Sequence, residues 1–205
     1  MTGQRISIFP LAGALLFPDA QLPLHIFEPR YRAMVSDALA RDQQIGMVQP
    51  MENGIRPRLY DMGCLGRITD CEALDDGCFN IVLTGVGRFH IIKELDVTTP
   101  FRQVEANVEA EGHWRDDALA PVLRASLEME ARRFAEHLGY VVDWTAVARL
   151  DDVTLVNGIA QVAPFDVASK QSLLEANSLE ERVERTIQLM QFFGLTDKEG
   201  PATLQ

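Results

Sequence analysis

Prolines interrupt the apolar residues near the start of the chain at short intervals. Residues 9–31 read FPLAGALLFPDAQLPLHIFEPRY, with prolines at 10, 18, 23 and 29. Proline fixes φ and donates no backbone hydrogen bond, so this segment is excluded as a helix or a regular central strand. Its high apolar content also excludes a fully solvated loop. We therefore expect residues 9–28 to form an extended strap that packs onto a core.

A helix is predicted directly after the strap. Glu28 and Pro29 are typical of a helix start, because a carboxylate favours the positive end of a helix and proline fits its first position. Apolar residues then recur at helical spacing at Tyr31, Met34, Val35, Ala38 and Leu39. From this pattern we expect Phe27 and Tyr31 to be largely buried.

Short alternating segments predict five or six β-strands around this helix. They cover residues 6–9, 45–49, 63–74, 78–86, 88–95 and 101–110. Asp75-Asp76-Gly77 predicts a hairpin turn, and Gly85 with Gly87 predicts a corner between two strands. A small mixed barrel or curled sheet fits this pattern better than a parallel α/β sheet, which needs a helix at each crossover.

The β pattern ends near residue 112, and helical patterns follow. They cover residues 116–138, 147–150, 152–162 and 166–176, with a last helix between Ser178 and Gly194. Ser178 and Glu181 have the spacing of a capping box. We therefore expect a β-rich domain over residues 1–112, a helical bundle over residues 113–195 and a flexible tail over residues 196–205.

Composition narrows the class of protein. The net charge is -11, which disfavours nucleic-acid binding because that binding depends on cationic side chains. No apolar run reaches membrane-spanning length, and no signal-peptide core follows the first residues. We expect a cytoplasmic protein whose cysteines, at 64, 71 and 78, are free thiols.

The sequence contains no motif of a known catalytic centre. A phosphate-binding Gly-Lys dipeptide, a Gly-x-Ser-x-Gly and a His-Glu-x-x-His are all absent, and the four histidines are dispersed. Ser169 and Lys170 are adjacent, so on a helix they point about 100° apart; we expect the Lys170 amine to reach solvent or an acidic neighbour. The sequence predicts no catalytic residue, no metal ligand and no cofactor.

Each of three further features has two possible interpretations, one functional and one structural. His25 is a titrating group or a hydrogen-bonded structural residue. Glu28, Arg30 and Arg32 are a recognition cluster or a helix start with solvated or bracing arginines. The segment Gly85-Val-Gly-Arg-Phe89 is a phosphate-binding loop or a set of corner glycines, although it does not open a helix as such loops do.

Several motifs together resemble one protein family. They are Phe17-Pro18, Leu22-Pro-Leu-His-Ile-Phe-Glu-Pro-Arg-Tyr31, Gly63-Cys-Leu-Gly-Arg-Ile68, Gly85-Val-Gly-Arg-Phe89 and Lys170-Gln-Ser-Leu-Leu-Glu175. They resemble the amino-terminal, substrate-binding domain of the Lon proteases over residues 5–193. The resemblance implies an α+β fold, with a β-rich PUA-like pseudo-barrel that contains one inserted helix and is followed by a helical bundle.

The resemblance also implies a function. The chain looks like a stand-alone relative without the ATPase and protease domains, so we expect a non-catalytic module that binds unfolded or partner polypeptides. The predicted binding residues lie on and beside the strap: Leu15, Leu16, Phe17, Leu24, Arg30 and Arg32. The residues expected to hold the motif together are Pro23, His25, Phe27, Glu28, Pro29 and Tyr31.

Two other functions remain open. PUA-like folds often bind RNA, which would need a basic surface. A small-ligand site of the kind found in the distantly similar cereblon proteins would need an aromatic cage, and both tryptophans, Trp114 and Trp144, lie outside the β-rich part. We expect a monomer or weak homodimer with protein partners, without nucleic acid or membrane.

Overall fold

The computed structural model describes residues 3–54, 56–109 and 117–196. The chain divides into two compact units, Met1–His113 and Trp114–Gln205, which we call the β unit and the helical unit. This is the α+β fold that the sequence predicts. The predicted boundary at residue 112 and the tail beyond residue 196 lie outside the described residues.

The β unit is built from one sheet that closes on itself. Its strands are β1 (Gln4–Pro10), β2 (Gln21–Ile26), β3 (Gln44–Val48), β4 (Met62–Ala73), β5 (Phe79–Glu94) and β6 (Gln103–Val108). Their order is β2-β5-β4-β3-β1-β6, and β6 also pairs with β5. Only β1 and β3 are parallel among the described strands. The second β5 pairing closes a barrel, and β2 lies at its edge.

The corner that the sequence predicts at Gly85 and Gly87 is absent, and both glycines lie within strand β5. This strand runs unbroken through both glycines, pairing with β2 before them and with β6 after them. Register shifts in β4 and β5, between Leu65 and Gly66 and again between Ile91 and Lys93, interrupt the pairing. Such irregularities bend a strand and increase its twist. The two predicted strands are therefore one bent strand that serves both sides of the barrel.

The strap and the helix after it follow the sequence pattern closely. Six strap residues form β2, where Pro23 is tolerated because an edge strand does not need every N–H. Helix α1 (Pro29–Leu39) begins with proline in its first turn and buries Tyr31, Met34, Val35 and Ala38. The barrel core contains Ile6, Ile8, Val48, Leu65, Phe89, Val104 and Ala106.

The described part of the helical unit contains five helices. They are α2 (Pro121–His137), α3 (Trp144–Val147), α4 (Asp152–Val162), α5 (Val167–Leu174) and α6 (Leu179–Thr196). Helix α2 starts later than predicted because Pro121 occupies its first turn, and α6 continues past Gly194. The predicted short turn at residues 147–150 is α3, which lies three residues earlier.

Side-chain caps fix the starts of α4, α5 and α6. Asp151 accepts from the Thr154 amide at 2.8 Å, and Asp166 accepts from the Ser169 amide at 2.7 Å. The Ser178 hydroxyl accepts from the Glu181 amide at 3.1 Å, which is one half of the predicted capping box, and Glu181 Oε2 accepts from the Asn177 amide at 2.6 Å. Each cap satisfies an amide that has no partner within its own helix.

A buried arginine joins three helices of this unit. Arg182 of α6 is 1% exposed; its Nε donates to the Leu173 carbonyl at 2.9 Å and its Nη1 to Asn157 Oδ1 at 2.5 Å. The buried apolar side chains of this unit include Leu127, Phe134, Val156, Phe165 and Val183. Val122, in the first turn of α2, is 79% exposed.

Candidate functional site

Three strap residues that were predicted to bind polypeptide are buried in the β unit. Leu15, Leu16 and Phe17 are only 3%, 1% and 0% exposed. Leu16 lies so close to Gly66 that a Cβ atom there would be 2.8 Å from Leu16 Cδ2. The prediction of a contact surface is wrong for these three side chains because they complete the core. Leu24 is partly buried in β2.

Backbone hydrogen bonds attach the strap to Gly85. The Gly85 amide donates to the Ala20 carbonyl at 2.9 Å, and the Asp19 amide donates to the Gly85 carbonyl at 3.0 Å. Pro18 forms a parallel bridge with the same glycine. The Gly85 amide is therefore engaged by the strap, and the segment lies inside a strand. This geometry disfavours the phosphate-loop interpretation.

His25 and Phe27 lie together on the surface at the end of β2. His25 Nδ1 is 2.8 Å from Asn80 Oδ1, and the Asn80 amide donates to Glu72 at 2.9 Å. The Phe27 ring stacks on His25 with 6.1 Å between centroids and is 63% exposed. Burial of Phe27 was therefore predicted wrongly: Ile26 takes the inward position, and the next side chain of an extended segment points outward.

The cluster of Glu28, Arg30 and Arg32 braces the start of α1. Arg30 Nε donates to Glu28 Oε2 at 2.9 Å, and Arg32 Nη1 donates to the Asp76 carbonyl at 3.3 Å. Arg32 thereby connects the helix to the hairpin turn before β5. The contacts support the interpretation of these residues as a braced helix start.

An apolar groove lies in the helical unit, where the sequence analysis placed no binding residue. Its volume is about 210 Å³. Every lining residue is apolar or aromatic: Ala131, Phe134, Ala135, Tyr140, Val142, Trp144, Val147, Leu150, Leu155, Gly158, Ile159, Val162, Ala163 and Met190. Tyr140, Leu150 and Val162 are 50%, 38% and 73% exposed. Such a cluster offers apolar surface to a partner.

Two residues set the shape of this groove. A Cβ atom on Gly158 of α4 would have no other atom within 4 Å, so space is open above the helix backbone there. The Arg132 guanidinium lies 4.6 Å from the centre of the Trp144 ring, a cation–π contact that fixes the indole. The groove therefore has one open wall and one braced aromatic wall.

A second depression shares Phe134 and Met190 with the groove. It has a volume of about 590 Å³ and is lined mainly by polar and charged side chains: Glu130, Arg133, Glu136, His137 and Gln191. An apolar surface with a polar border of this kind is typical of a protein interaction site.

Ser169 and Lys170 do not form a catalytic pair. Lys170 is 7% exposed and donates to the Gln161 carbonyl at 2.9 Å, so its amine does not lie in solvent. Burial lowers the pKa of the Lys170 amine. Ser169 is only partly buried, and its backbone amide donates to Asp166, the N-cap residue of α5.

Metal clusters and membrane-spanning helices are both absent from the described ranges. Within residues 3–54, 56–109 and 117–196, no group of three or more His, Cys, Asp or Glu side chains is placed to hold a metal ion. No helix in these ranges is long and apolar enough to cross a membrane. Cys64, Cys71 and Cys78 are free thiols, as predicted.

The model of one protein family matches almost the whole chain. It is the model of the ATP-dependent protease La (LON) substrate-binding domain, and it matches residues 5–191. The chain belongs to this family. The match includes the strap and all the residues that line the groove.

Curated relatives of this LON substrate-binding domain are full-length proteases. The chain is 27% identical to Lon protease 2 of Herpetosiphon aurantiacus over 194 residues, which cover 90% of the chain and 23% of that protein. It is 25% identical to Lon protease 2 of Myxococcus xanthus over 195 residues, covering 91% and 23%. The chain thus spans about a quarter of the length of these relatives.

Solved structures share the fold of this LON domain. The Lon N-terminal domain protein from Xanthomonas campestris has a TM-score of 0.66 and 21% identity, covering 90% of this chain and 98% of that one. The N-terminal domain of the Mycobacterium avium complex Lon protease has a TM-score of 0.64 and 18% identity, covering 92% and 98%. At this identity the likeness establishes the fold.

Sequence reasoning missed the groove of this LON domain for an identifiable reason. Tyr140, Val141 and Val142 directly follow Gly139, which ends α2 with φ of 71°. Three apolar residues in a connecting segment were a signal, because such segments are usually polar and exposed. Gly158 inside α4 was a second signal, since glycine weakens a helix unless space or packing requires it.

Proposed function

We propose that the chain is a non-catalytic module that binds polypeptide segments with exposed apolar side chains. Membership in a family described as a substrate-binding domain supports this proposal. The matched region in the relatives is a quarter of a protease. The polypeptide-binding role predicted from the sequence is retained, but its surface moves from the buried strap to the helical unit.

The apolar groove is the observation that carries the proposal. Its open wall at Gly158 leaves room for an incoming side chain, and the exposed Tyr140 and Val162 can cover that side chain. Burial of apolar surface contributes affinity of about 25 cal/mol per Å² before ordering costs. Apolar burial distinguishes little between different apolar sequences, which suits a receptor for many unfolded segments.

The charges of the β unit argue against the RNA-binding alternative. Seven of its cationic side chains lie within 3.3 Å of a carboxylate: Arg30, Arg41, Arg56, Arg58, Arg88, Lys93 and Arg102. RNA affinity depends on cations that neutralise phosphates. Cations that are already paired with carboxylates of the protein contribute less to RNA affinity.

Substitution of Gly158 tests the proposal. The full chain is titrated by fluorescence anisotropy against reduced and carbamidomethylated α-lactalbumin, an unfolded probe. Gly158→Leu places a side chain in open space, so we expect it to fill the groove and weaken binding at least fivefold. Gly158→Ala leaves most of the groove open and should bind within about twofold of the parent.

Ala125→Leu is the matched control for the added side chain. Ala125 is exposed on α2 and does not line the groove, so the new leucine should leave affinity unchanged. Circular dichroism melting verifies that all variants are folded. Equal affinity of the parent and Gly158→Leu, with both folded, would reject the groove as the binding surface.

A further inference from the structure

A small cavity in the β unit lies where the strap meets α1. Its volume is about 140 Å³, close to the roughly 150 Å³ of an engineered cavity that accepts benzene. Its apolar walls come from Pro10, Pro50, Pro57, Pro100 and Phe101. Prolines keep such walls rigid because their φ is fixed. The cavity is therefore a preformed space for one side chain or ring.

Tyr31 is one of the residues that line this cavity. Tyr31 is only 5% exposed, and no group in the described part of the chain pairs with its hydroxyl. Its ring is otherwise well held: it lies 4.2 Å from the Phe9 ring and 4.5 Å from the Arg30 guanidinium. The hydroxyl is not among the side-chain atoms that are buried without a partner in the described residues, so it remains accessible. An accessible phenol on the wall of a cavity can donate to a ligand that brings an acceptor.

Two arginines give the cavity a positive side. Arg30 donates through Nε and Nη2 to Glu28, and within the described residues its Nη1 has no acceptor. Arg102 is fixed by two bonds to Glu94 and one to the Pro57 carbonyl, at 2.8–2.9 Å. These two charges both act on Tyr31, although burial has the larger effect and raises its pKa. The phenol therefore remains a donor at neutral pH.

The acidic groups at this site are already paired. Glu52, which lines the cavity, accepts from Arg58 Nε at 3.3 Å, and Glu94 accepts from both Arg56 and Arg102. The charged residues that line the cavity are two arginines, Arg30 and Arg102, and one glutamate, Glu52, in a chain whose net charge is -11. An anionic ligand meets a local excess of positive charge here.

We propose that this cavity binds a carboxylate-bearing ligand the size of one amino-acid residue, whose carboxylate accepts from Tyr31 and Arg30. The apolar part of the ligand packs against the prolines and Phe101. A free small acid and the C-terminal residue of a polypeptide share this chemistry. The site is separate from the groove and does not depend on the proposed function of the helical unit.

Paired probes with and without the carboxylate test this site in the full chain. N-acetyl-leucine and its amide represent the free acid, and a hexapeptide ending in leucine, with a free or amidated C-terminus, represents the polypeptide. Binding is followed by ¹H–¹⁵N chemical-shift titration. If the natural ligand is a free small acid, N-acetyl-leucine should bind at least tenfold more tightly than its amide. If it is a chain end, the peptide acid should bind at least tenfold more tightly than the amidated peptide. Tight binding of N-acetyl-leucine without the peptide assigns the site to small acids, and binding of the peptide acid assigns it to chain ends.

Matched variants locate the binding. Tyr31→Phe keeps the ring and Arg30→Gln keeps much of the side-chain length, and each should weaken acid binding about tenfold, the loss expected for a hydrogen bond to a charged group. Tyr140→Phe and Arg41→Gln, which do not line the cavity, should have no effect, and neither should Gly158→Leu. Equal binding of acids and amides, no binding of either acid, or unchanged binding by folded Tyr31→Phe would overturn the proposal.

Discussion

The carbonyl oxygen of Phe17 lies directly against Gly85, so that a Cβ atom on this glycine would be 1.9 Å from the oxygen. Real side chains do not tolerate this distance. The contact explains why glycine occupies the middle of a long strand, where its lack of a side chain is otherwise a disadvantage. It also fixes where the strap crosses β5, because the backbone bonds of Asp19 and Ala20 depend on the same close approach.

Substitution of Gly85 should therefore detach the strap. We expect Gly85→Ala to lower the free energy of unfolding by about 2–4 kcal/mol, from overpacking together with weakened hydrogen bonds. Urea denaturation of the full chain measures it. Gly158→Ala provides the opposite control: its Cβ atom meets nothing within 4 Å, so helix propensity should raise stability by about 0.5–1 kcal/mol. A stable Gly85→Ala variant would show that the strap is not held there.

The two phenylalanines of the strap should respond oppositely to truncation. Phe17 is 0% exposed and Phe27 is 63% exposed. We expect Phe17→Ala to cost about 3–5 kcal/mol, as for a buried phenylalanine. Phe27→Ala should cost less than about 1 kcal/mol, as for a surface position. Thermal melts of the two variants compare them directly, and a similar loss in both would contradict the burial of Phe17.

The sequence pattern predicted local structure well where one residue type has one physical role. Glu28 and Pro29 marked the start of α1, and Asp75-Asp76-Gly77 marked the hairpin turn, whose glycine has φ of 78°. Asp166 and Ser178 marked helix starts through their caps. These signals are local, so they do not depend on the rest of the fold.

Gly85 and Phe27 were misinterpreted because their roles depend on distant residues. A glycine at a corner and a glycine under a crossing backbone look alike in sequence, and only the position of Phe17 separates them. The sequence also did not show which side of β2 faces inward at Phe27, because a period-two pattern does not specify where a strand ends. The candidate groove was missed for the same reason: its residues come from four helices and the segments that connect them.

The cap of α4 should make stability depend on pH in a defined direction. Hydrogen bonds from the Thr154 hydroxyl and amide hold the pKa of Asp151 below its ordinary value. A lowered carboxyl pKa contributes stability that is present above the unfolded value of about 3.9 and is lost as pH falls through the folded value. Relative to Asp151→Asn, which keeps a cap without the titration, the parent should therefore lose stability between pH 5 and pH 2.

Denaturant unfolding at several pH values measures this difference. Other carboxyl groups titrate equally in both proteins, so they cancel in the comparison. Thr154→Val removes the hydroxyl donor, which is the largest cause of the shift, and should reduce the pH dependence. A constant difference between the parent and Asp151→Asn across this range would show that the cap does not titrate as expected.

Salt dependence should separate polypeptide binding from RNA binding. Apolar burial involves no counterion release, so the affinity for an unfolded polypeptide should change less than about twofold between 50 and 200 mM salt. RNA binding releases counterions, so its affinity falls steeply over the same range. We expect weak, nearly salt-insensitive binding of reduced and carbamidomethylated α-lactalbumin and negligible binding of a single-stranded RNA, each measured by fluorescence anisotropy. The net charge of -11 repels phosphates, and most arginines of the β unit already bind carboxylates. Tight RNA binding that weakens with salt would replace the polypeptide proposal with an RNA-binding one.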